Sequence, residues 1–273
     1  MKKNQFQESK FRTWLAQQPA TKLFIKALLD LGKLDFFQFK ISVKGWYKTL
    51  ICHIKRILKN NKTVECNFCG WQGNRFYPHV TTAGVREEEK CPVCHSIPRY
   101  RSLMKFLKED LNLFNKKLKI LEIGPNRSLQ NILINNPNFD YISVDIKAPQ
   151  AMYHMDVTDL KFDDNTFDVI FCISVMHYVE DDVKGFEEMK RVLKPNGELI
   201  FASGIDETSE TTVEYNKRTA EHNFTIRTYG WDVKEKIERI GFNIQLFNPY
   251  DKASEEEREI YGLGTHTILL LTK

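Results

Sequence analysis

The chain has 273 residues, of which 42% are hydrophobic and 28% charged. This composition excludes disorder throughout and allows one large domain with a smaller module. Residues 1–63 hold 14 lysines and arginines against three acids, whereas residues 64–273 hold 26 against 33, so the net charge of +4 conceals a basic start and an acidic remainder.

Residues 1–63 are predicted to form basic helices. Apolar side chains recur at helical spacing from Trp46 to Leu58, with lysines and arginines largely on the other side. Such a stripe commonly packs on the protein's own core. The alternative is a helix lying on an anionic surface, with peripheral membrane contact favoured over RNA.

No apolar run reaches the roughly 18–20 residues that span a bilayer, and the polar start lacks the apolar stretch of a secretory signal. We therefore expect a cytoplasmic protein, at the inner face of the membrane if the basic helices bind lipid. In such a compartment, six cysteines favour metal ligation or packing over disulfides.

Residues 64–98 are predicted to be a zinc module. Two C-x2-C pairs, CNFC and CPVC, are separated by 21 residues, and each pair can bring two thiolates to one tetrahedral ion. Four thiolates close the coordination shell, so the site is expected to be structural. His79 or His95 could replace a cysteine, and we expect neither to do so. The predicted zinc ligands are Cys66, Cys69, Cys91 and Cys94.

Residues 99–273 are predicted to form an α/β domain. An amphipathic helix over residues 99–114 leads into alternating strands and helices that start with the strand KILEIG at Lys119. This alternation indicates crossover units and a mostly parallel, Rossmann-like sheet covered on both faces. The last two strands, NIQLFN and HTILLLTK, are joined by a segment of little helical periodicity, which favours a closing antiparallel pair.

The end of the first strand carries a nucleoside-binding pattern. Glu122 and Gly124 end this strand, and Asp145 ends the second strand 23 residues after Glu122. A glycine turn permits close backbone approach to a ligand, and an acid at the second strand end can accept both ribose hydroxyls. Positions 126 and 129 are not glycine, so the turn is not prepared for the pyrophosphate of a dinucleotide.

Residues 156–181 and 189–202 (DVTDLKFDDNTFDVIFCISVMHYVED and MKRVLKPNGELIFA) resemble the class I methyltransferases that depend on S-adenosylmethionine (SAM). The resemblance covers residues 99–273, and with the cysteine module the chain is similar to an uncharacterised bacterial subgroup. It implies a seven-stranded sheet and SAM as cofactor. Asn126 replaces the usual second glycine, and because asparagine tolerates positive φ we expect binding to survive. Asn196 stands where the family often has glycine.

The predicted cofactor site combines these residues. Glu122 is expected near the methionine ammonium, Asp145 at the ribose and Asp156 at the adenine amine. The full predicted set is Glu122, Gly124, Asn126, Asp145, Ile146, Asp156, Val157 and Ser174.

Catalytic candidates follow the fourth and fifth long strands of the domain. A base is needed only where the acceptor must lose a proton, as a hydroxyl does. His177, His222 and Tyr229 are the candidates. Arg99, Arg101 and Arg227 favour an anionic acceptor.

Three functions remain open from the sequence. The first is O- or N-methylation of a small-molecule, sugar or glycan acceptor, and the second is RNA methylation. The third is a catalytically silent, zinc-stabilised binding protein. The stretch from Ser174 to His177 is not the N/D-P-P-Y/F loop that grips an exocyclic amine, which disfavours base-amine methylation.

Overall fold

The computed structural model describes residues 47, 63–81, 84–215, 217–219 and 224–273. His222 and nearly all of the predicted basic helical segment therefore lie outside the described residues. The chain divides into two compact units, one running to Pro98 with Glu259–Gly262, the other comprising Arg99–Arg258 and Leu263–Lys273. The three predicted segments, residues 1–63, 64–98 and 99–273, stay predictions as functional domains. Within the described ranges, no helix is long and apolar enough to cross a membrane.

The first unit contains two small antiparallel pairs. Strand β1 (Val64–Glu65) pairs with β2 (Gln72–Gly73), and β3 (Tyr77–Thr81) pairs with β4 (Gly84–Lys90). Among the described residues of this unit, Val64, Cys66, Phe76 and Cys91 are buried in one cluster, with Phe68 and Trp71 packed against them.

The second unit is built on a seven-stranded sheet. Its order is β12-β13-β9-β8-β5-β6-β7, and β13 runs antiparallel to both of its neighbours while the other pairs are parallel. The strands are β5 (Leu118–Ile123), β6 (Phe139–Asp145), β7 (Tyr153–His154), β8 (Phe167–Ile173), β9 (Leu193–Ala202), β12 (Asn243–Phe247) and β13 (Ile268–Thr272). The mostly parallel seven-stranded fold and the closing antiparallel pair are thereby confirmed.

The α-helices within residues 84–273 are α1 (Pro98–Lys105), α2 (Arg127–Ile134), α3 (Asp182–Val192), α4 (Val233–Arg239), α5 (Pro249–Lys252) and α6 (Glu255–Tyr261). Of these, α2, α3 and α4 pack against the sheet strands β6, β9 and β12. The central strands are almost wholly apolar and buried on both faces, as a parallel sheet between helices requires. The chain leaves β5 first to β6 on one side and later to β8 on the other, so a crevice opens at their carboxyl ends.

The structure differs from the sequence prediction in short elements. The helix predicted over 99–114 is regular only to Lys105, continues as a π-helical turn (Phe106–Asp110), and breaks at Asn112, whose φ is 46°. The segment between the last two strands holds two short helices, α5 and α6, where little helix was expected. Asn248 caps α5 by accepting hydrogen bonds from two backbone N–H groups, and Pro249 begins the helix.

Candidate functional site

A cavity of about 700 Å³ opens at the carboxyl ends of β5, β6 and β8. Its volume is in the range of cofactor pockets, and its position is the reversal point of the strand order. Its wall is formed by Ile123, Gly124, Asp145, Ile146, Lys147, Met155, Asp156, Val157, Thr158, Ser174, Val175, Tyr178, Val179, Glu180, Asp181 and Arg218. Six of the eight predicted cofactor residues are in this wall; Glu122 and Asn126 are not.

Gly124 forms the turn that follows β5. Its φ is +66°, and a Cβ atom built on it would lie 2.5 Å from Val175 Cγ2, which side chains do not tolerate. Its backbone N–H donates to Val144 O at 2.8 Å, which fixes the turn against β6. The bare backbone therefore borders the cavity directly, as a close approach to a ligand requires.

Asp145 ends β6 with its carboxylate at the cavity. Oδ1 accepts hydrogen bonds from the backbone N–H groups of Lys147 (2.8 Å) and Ala148 (2.7 Å). Oδ2 lies 3.8 Å from the position of a Cβ on Gly124. One oxygen thus fixes the side chain and the other faces the space above the glycine turn.

The opposite end of the cavity carries Asp156 and the apolar residues beside it. Asp156 Oδ1 accepts from the backbone N–H and the hydroxyl of Thr158, at 2.9 and 2.8 Å. Met155 and Val157 flank this acid in the cavity wall, and Val157 is buried. The segment offers apolar surfaces next to a fixed carboxylate, which suits a flat heterocycle with an amine.

Glu122 lies beneath the turn rather than in the cavity wall. Its side chain is 2% exposed, and it accepts hydrogen bonds from Asn126 N (2.9 Å) and the Tyr141 hydroxyl (2.6 Å). Burial raises the pKa of Glu122 to about 7, although both hydrogen bonds act in the opposite direction. Direct contact with a ligand ammonium is not part of this geometry.

Asn126 caps the helix that follows the turn, and its predicted contact with the cofactor stays a prediction. Its φ is −95°, so the expectation of a positive φ at this position is wrong. It is the N-cap of α2, and its side chain accepts from Ser128 N at 2.9 Å. Asparagine satisfies this otherwise unpaired N–H, which glycine could not do.

His177 and Ser174 follow β8. Ser174 adopts φ +60° and is in the cavity wall, whereas His177 is buried and its Nδ1 lies 2.7 Å from Ser203 Oγ. Burial, followed by the charges of Arg99 and Arg227, lowers the pKa of His177 to about 4. The imidazole is therefore neutral near pH 7 and a weak base. Its predicted catalytic role stays a prediction.

Tyr229 and Arg227 hold the loop after β8 and do not line the cavity. The Tyr229 hydroxyl is buried and donates to Asp182 Oδ2 at 2.8 Å, and burial raises its pKa far above the usual range. Arg227 donates to the carbonyls of Met176, Val179 and Glu180, and its Nε donates to Glu214 Oε1 at 2.8 Å. These contacts fix the loop that supplies Val179 and Glu180 to the cavity wall.

Val175 and Arg218 belong to the wall but were not predicted. Arg218 lies in the long connection after β9 and donates to Tyr178 O at 3.0 Å. Arg218 has no local signal, because it reaches the cavity from a segment 40 positions along the chain. Val175 could have been found as the neighbour of Ser174.

The four predicted metal ligands meet in the first unit. Their Sγ atoms all lie within 4.8 Å of one another, and this group includes neither His79 nor His95. Two of the separations are 3.5 Å (Cys66–Cys94) and 3.7 Å (Cys69–Cys91). Hydrogen bonds from Cys91 and Cys94 lower the pKa of the Cys66 thiol.

Both C-x2-C turns have the same backbone. Gly70 N donates to Cys66 O at 2.8 Å, and His95 N donates to Cys91 O at 3.1 Å. Gly70 and His95 both have positive φ, at 70° and 65°. The two turns therefore present their sulfurs in equivalent ways, as two halves of a tetrahedral site would.

Comparison with known proteins agrees with this geometry. Residues 125–201 match the family model described as Methyltransferase domain. This match lies within the second unit and agrees with the Rossmann-like, mostly parallel sheet found there. The matched range starts directly after Gly124 and ends within β9.

Individual relatives differ in what they act on. The chain is 28% identical over 167 residues to a tRNA U34 carboxymethyltransferase of Nautilia profundicola, covering 52% of this chain and 55% of that one. It is 30% identical over 117 residues to a sterol 4-C-methyltransferase of Caenorhabditis elegans, covering 43% and 32%. The chain thus spans about half and about a third of these relatives' lengths.

A solved structure of a SAM-dependent methyltransferase from Mesorhizobium loti is 15% identical, with a TM-score of 0.44. The match covers 61% of this chain and 97% of that one.

Proposed function

We propose that the chain is a SAM-dependent methyltransferase that transfers a methyl group to oxygen or nitrogen of a small-molecule, sugar or glycan acceptor. The observation that carries this proposal is the cavity at the carboxyl ends of β5, β6 and β8. Its wall combines the glycine turn at Gly124 with the acids Asp145 and Asp156. This arrangement suits an adenosyl group with a charged amino-acid end.

Different residues at the cavity would bind different parts of the cofactor. Asp145 would accept the ribose hydroxyls, because its Oδ1 is already fixed by two backbone N–H groups and its Oδ2 faces the cavity. Asp156 would accept the adenine amine, with Met155, Val157 and Ile146 against the ring. Gly124 would leave room for the amino-acid end. Glu122 would act on the ammonium through its charge or a water, since both of its oxygens have protein partners.

Methyl transfer from SAM depends more on alignment of the acceptor than on acid–base groups. When bound, SAM supplies a methyl carbon activated by the adjacent sulfonium, so the protein needs to orient the acceptor and exclude water. The loop held by Arg227 supplies Tyr178 and Val179 to the cavity wall for this purpose. For a hydroxyl acceptor, His177 is neutral but weakly basic, and turnover of His177→Ala would report whether it removes a proton.

A zinc ion in the four-cysteine unit is the second part of the proposal. Zinc–sulfur bonds of about 2.3 Å in a tetrahedron place the sulfurs about 3.8 Å apart. The observed separations of 3.5 and 3.7 Å fit this geometry. Cys66, Cys69, Cys91 and Cys94 would fill the shell, so the ion would stabilise the fold and leave no position for a substrate.

Calorimetric titration of the full chain with SAM tests the enzymatic proposal. Saturable binding by folded protein is expected, and its absence would leave a zinc-stabilised scaffold. Incorporation of a radiolabelled methyl group into fractionated cell extract would then identify the acceptor class.

RNA is the second candidate acceptor. One matched relative is a tRNA U34 carboxymethyltransferase, and residues 1–63 of this chain are strongly basic. Retention on immobilised tRNA that falls steeply with salt would support RNA, whereas retention on vesicles containing anionic lipid would assign the basic segment to a membrane.

A further inference from the structure

We propose that Arg99 and Ser174 form a carboxylate-binding subsite at the cavity wall, an inference that rests on the proposed function. The two residues come from distant parts of the chain. Arg99 is in the first turn of α1, and Ser174 directly follows β8. The Arg99 guanidinium donates a hydrogen bond from Nη1 to Ser174 Oγ.

The contact leaves the serine hydroxyl able to act as a donor. Ser174 Oγ accepts from the guanidinium, and the Ser174 backbone N–H is already bonded to Ala202 O at 2.7 Å. The hydroxyl hydrogen is therefore free to turn towards the cavity that Ser174 lines. A cation behind a hydroxyl makes it a stronger donor to an anion.

The charge of Arg99 is not balanced by an acid. Among the residues that the structure describes, no carboxylate lies within 4.0 Å of its guanidinium, and its buried Nε has no hydrogen-bond partner. Arg227, by contrast, has Glu214 at 2.8 Å and Asp182 at 3.8 Å. A partly buried cation without a counterion is costly, and a bound anion would relieve that cost.

The positive charge of Arg99 also acts on neighbouring groups. His177 is buried beside this pair, and after burial the charge of Arg99 is the next cause that lowers the pKa of the imidazole. Ser203, the partner of His177, lines a small gap together with Arg99 and His266. None of the described acidic side chains lines that gap.

One cation and one hydroxyl donor suit a monoanion with two oxygens better than a phosphate dianion, so the ligand class is a carboxylate. Two sources supply one: the amino-acid end of SAM, and an acidic acceptor. The amino-acid end is close by, because Gly124 and Val175 are in direct contact range and Val175 follows Ser174. The experiment separates the sources.

S-Adenosylhomocysteine and 5′-methylthioadenosine share the adenosyl thioether, and only the first has a carboxylate. Calorimetry would compare both on the full-length wild-type chain, Arg99→Met, Arg99→Lys and Ser174→Ala. Arg239→Met is the matched control, since this arginine is 79% exposed and pairs with Glu235 on α4. Thermal unfolding of each variant verifies folding.

If the cofactor supplies the carboxylate, Arg99→Met lowers the affinity for S-adenosylhomocysteine about tenfold or more. The affinity for 5′-methylthioadenosine changes by less than twofold, and Arg99→Lys recovers part of the lost affinity. Ser174→Ala shows the same selectivity to a smaller degree, and Arg239→Met matches the wild type.

If the acceptor supplies the carboxylate, all variants bind each nucleoside with the affinity of the wild type. Fluorine NMR with S-adenosylhomocysteine at saturation then shows line broadening of 4-fluorobenzoate by the wild type only, and none of 4-fluorobenzamide. Equal behaviour of Arg99→Met and wild type in both measurements overturns the subsite. A folded wild type that binds neither nucleoside overturns the proposed function instead.

Discussion

Two acids at the same edge of the sheet, Asp145 and Glu122, have opposite surroundings. Asp145 is half-buried at the cavity, and backbone N–H groups hold its Oδ1. Glu122 is almost completely buried, and its pKa rises to about 7. Residue type alone therefore does not tell which carboxylate lines the cavity and which is buried beneath it.

Asp145→Ala is expected to weaken SAM binding by about 1–3 kcal/mol, through loss of charge-assisted hydrogen bonds. Calorimetric titration measures the change. Asp140→Ala is the matched control, because Asp140 is on the same strand, is 68% exposed, and lies outside the cavity wall. Equal affinity of Asp145→Ala and wild type would remove Asp145 from the cofactor site.

Glu122 makes stability depend on pH. Its pKa in the fold exceeds the ordinary value of 4.5, so the folded chain holds a proton that the unfolded chain releases. This contribution to the free energy of unfolding is present below about pH 4.5 and is lost as the pH rises to about 7. Between pH 5 and pH 8 the wild type should lose about 2 kcal/mol more than Glu122→Gln. Urea titrations of both proteins with equal pH slopes would contradict this.

Among the elements, the loop between β8 and α3 depends on residues from far along the chain. Strands β10 (Val213–Glu214) and β11 (Arg227–Thr228) form a small antiparallel pair that places Arg227 beneath the loop. Its side chain is 5% exposed, and its guanidinium donates to three carbonyls of the loop, those of Met176, Val179 and Glu180. The position of this part of the cavity wall therefore depends on hydrogen bonds from Arg227, which lies about 50 residues further along the chain.

Arg227→Met is expected to lower the free energy of unfolding by about 2–4 kcal/mol, because carbonyls and Glu214 lose a buried charged partner. It should also weaken SAM binding and speed amide exchange at Val179, which hydrogen exchange can follow. Arg218→Met is the comparison, since Arg218 is 42% exposed and bonds a single loop carbonyl, that of Tyr178. A loss below about 1 kcal/mol is expected there.

Sequence patterns predicted those elements whose signals are local. The strand KILEIG ends in Glu122 and Gly124, and its apolar run and glycine turn fix both strand and cavity edge. Two C-x2-C pairs likewise predicted a cluster whose sulfurs the structure brings together. Two-residue strands such as β7 and β10 carry no such pattern, since one or two ladder bonds to a remote segment create them.

The roles of single side chains were harder to predict than the elements. Asn126 was expected at positive φ in place of a glycine, and it caps a helix instead. Tyr229 was a catalytic candidate; its hydroxyl is bonded to Asp182 inside the core, and its catalytic role stays a prediction. Both side chains are held by hydrogen bonds that form only in the folded chain. Asn126 bonds Ser128, 2 positions away, and Tyr229 bonds Asp182, 47 positions away.

At the scale of the whole molecule, the four-cysteine cluster allows a test of the proposed zinc site. Cys69→Ser is expected to release zinc and lower the midpoint of thermal unfolding, because the bound ion would join the two C-x2-C turns. Metal analysis by mass spectrometry measures the zinc content. Cys172→Ala is the control: this cysteine is buried in β8, so its loss should leave the zinc content unchanged. Native protein without zinc would contradict the assignment.

The guanidinium beneath the loop also limits how the proposed enzyme could be re-engineered. Replacing residues 203–232 by the corresponding segment of a relative would remove Arg227 along with the residues that were meant to be exchanged. The recipient loop would then keep its own sequence but lose its support. A chimera of this kind should be built with an arginine retained at that place, so that selectivity can change while the cofactor pocket keeps its shape.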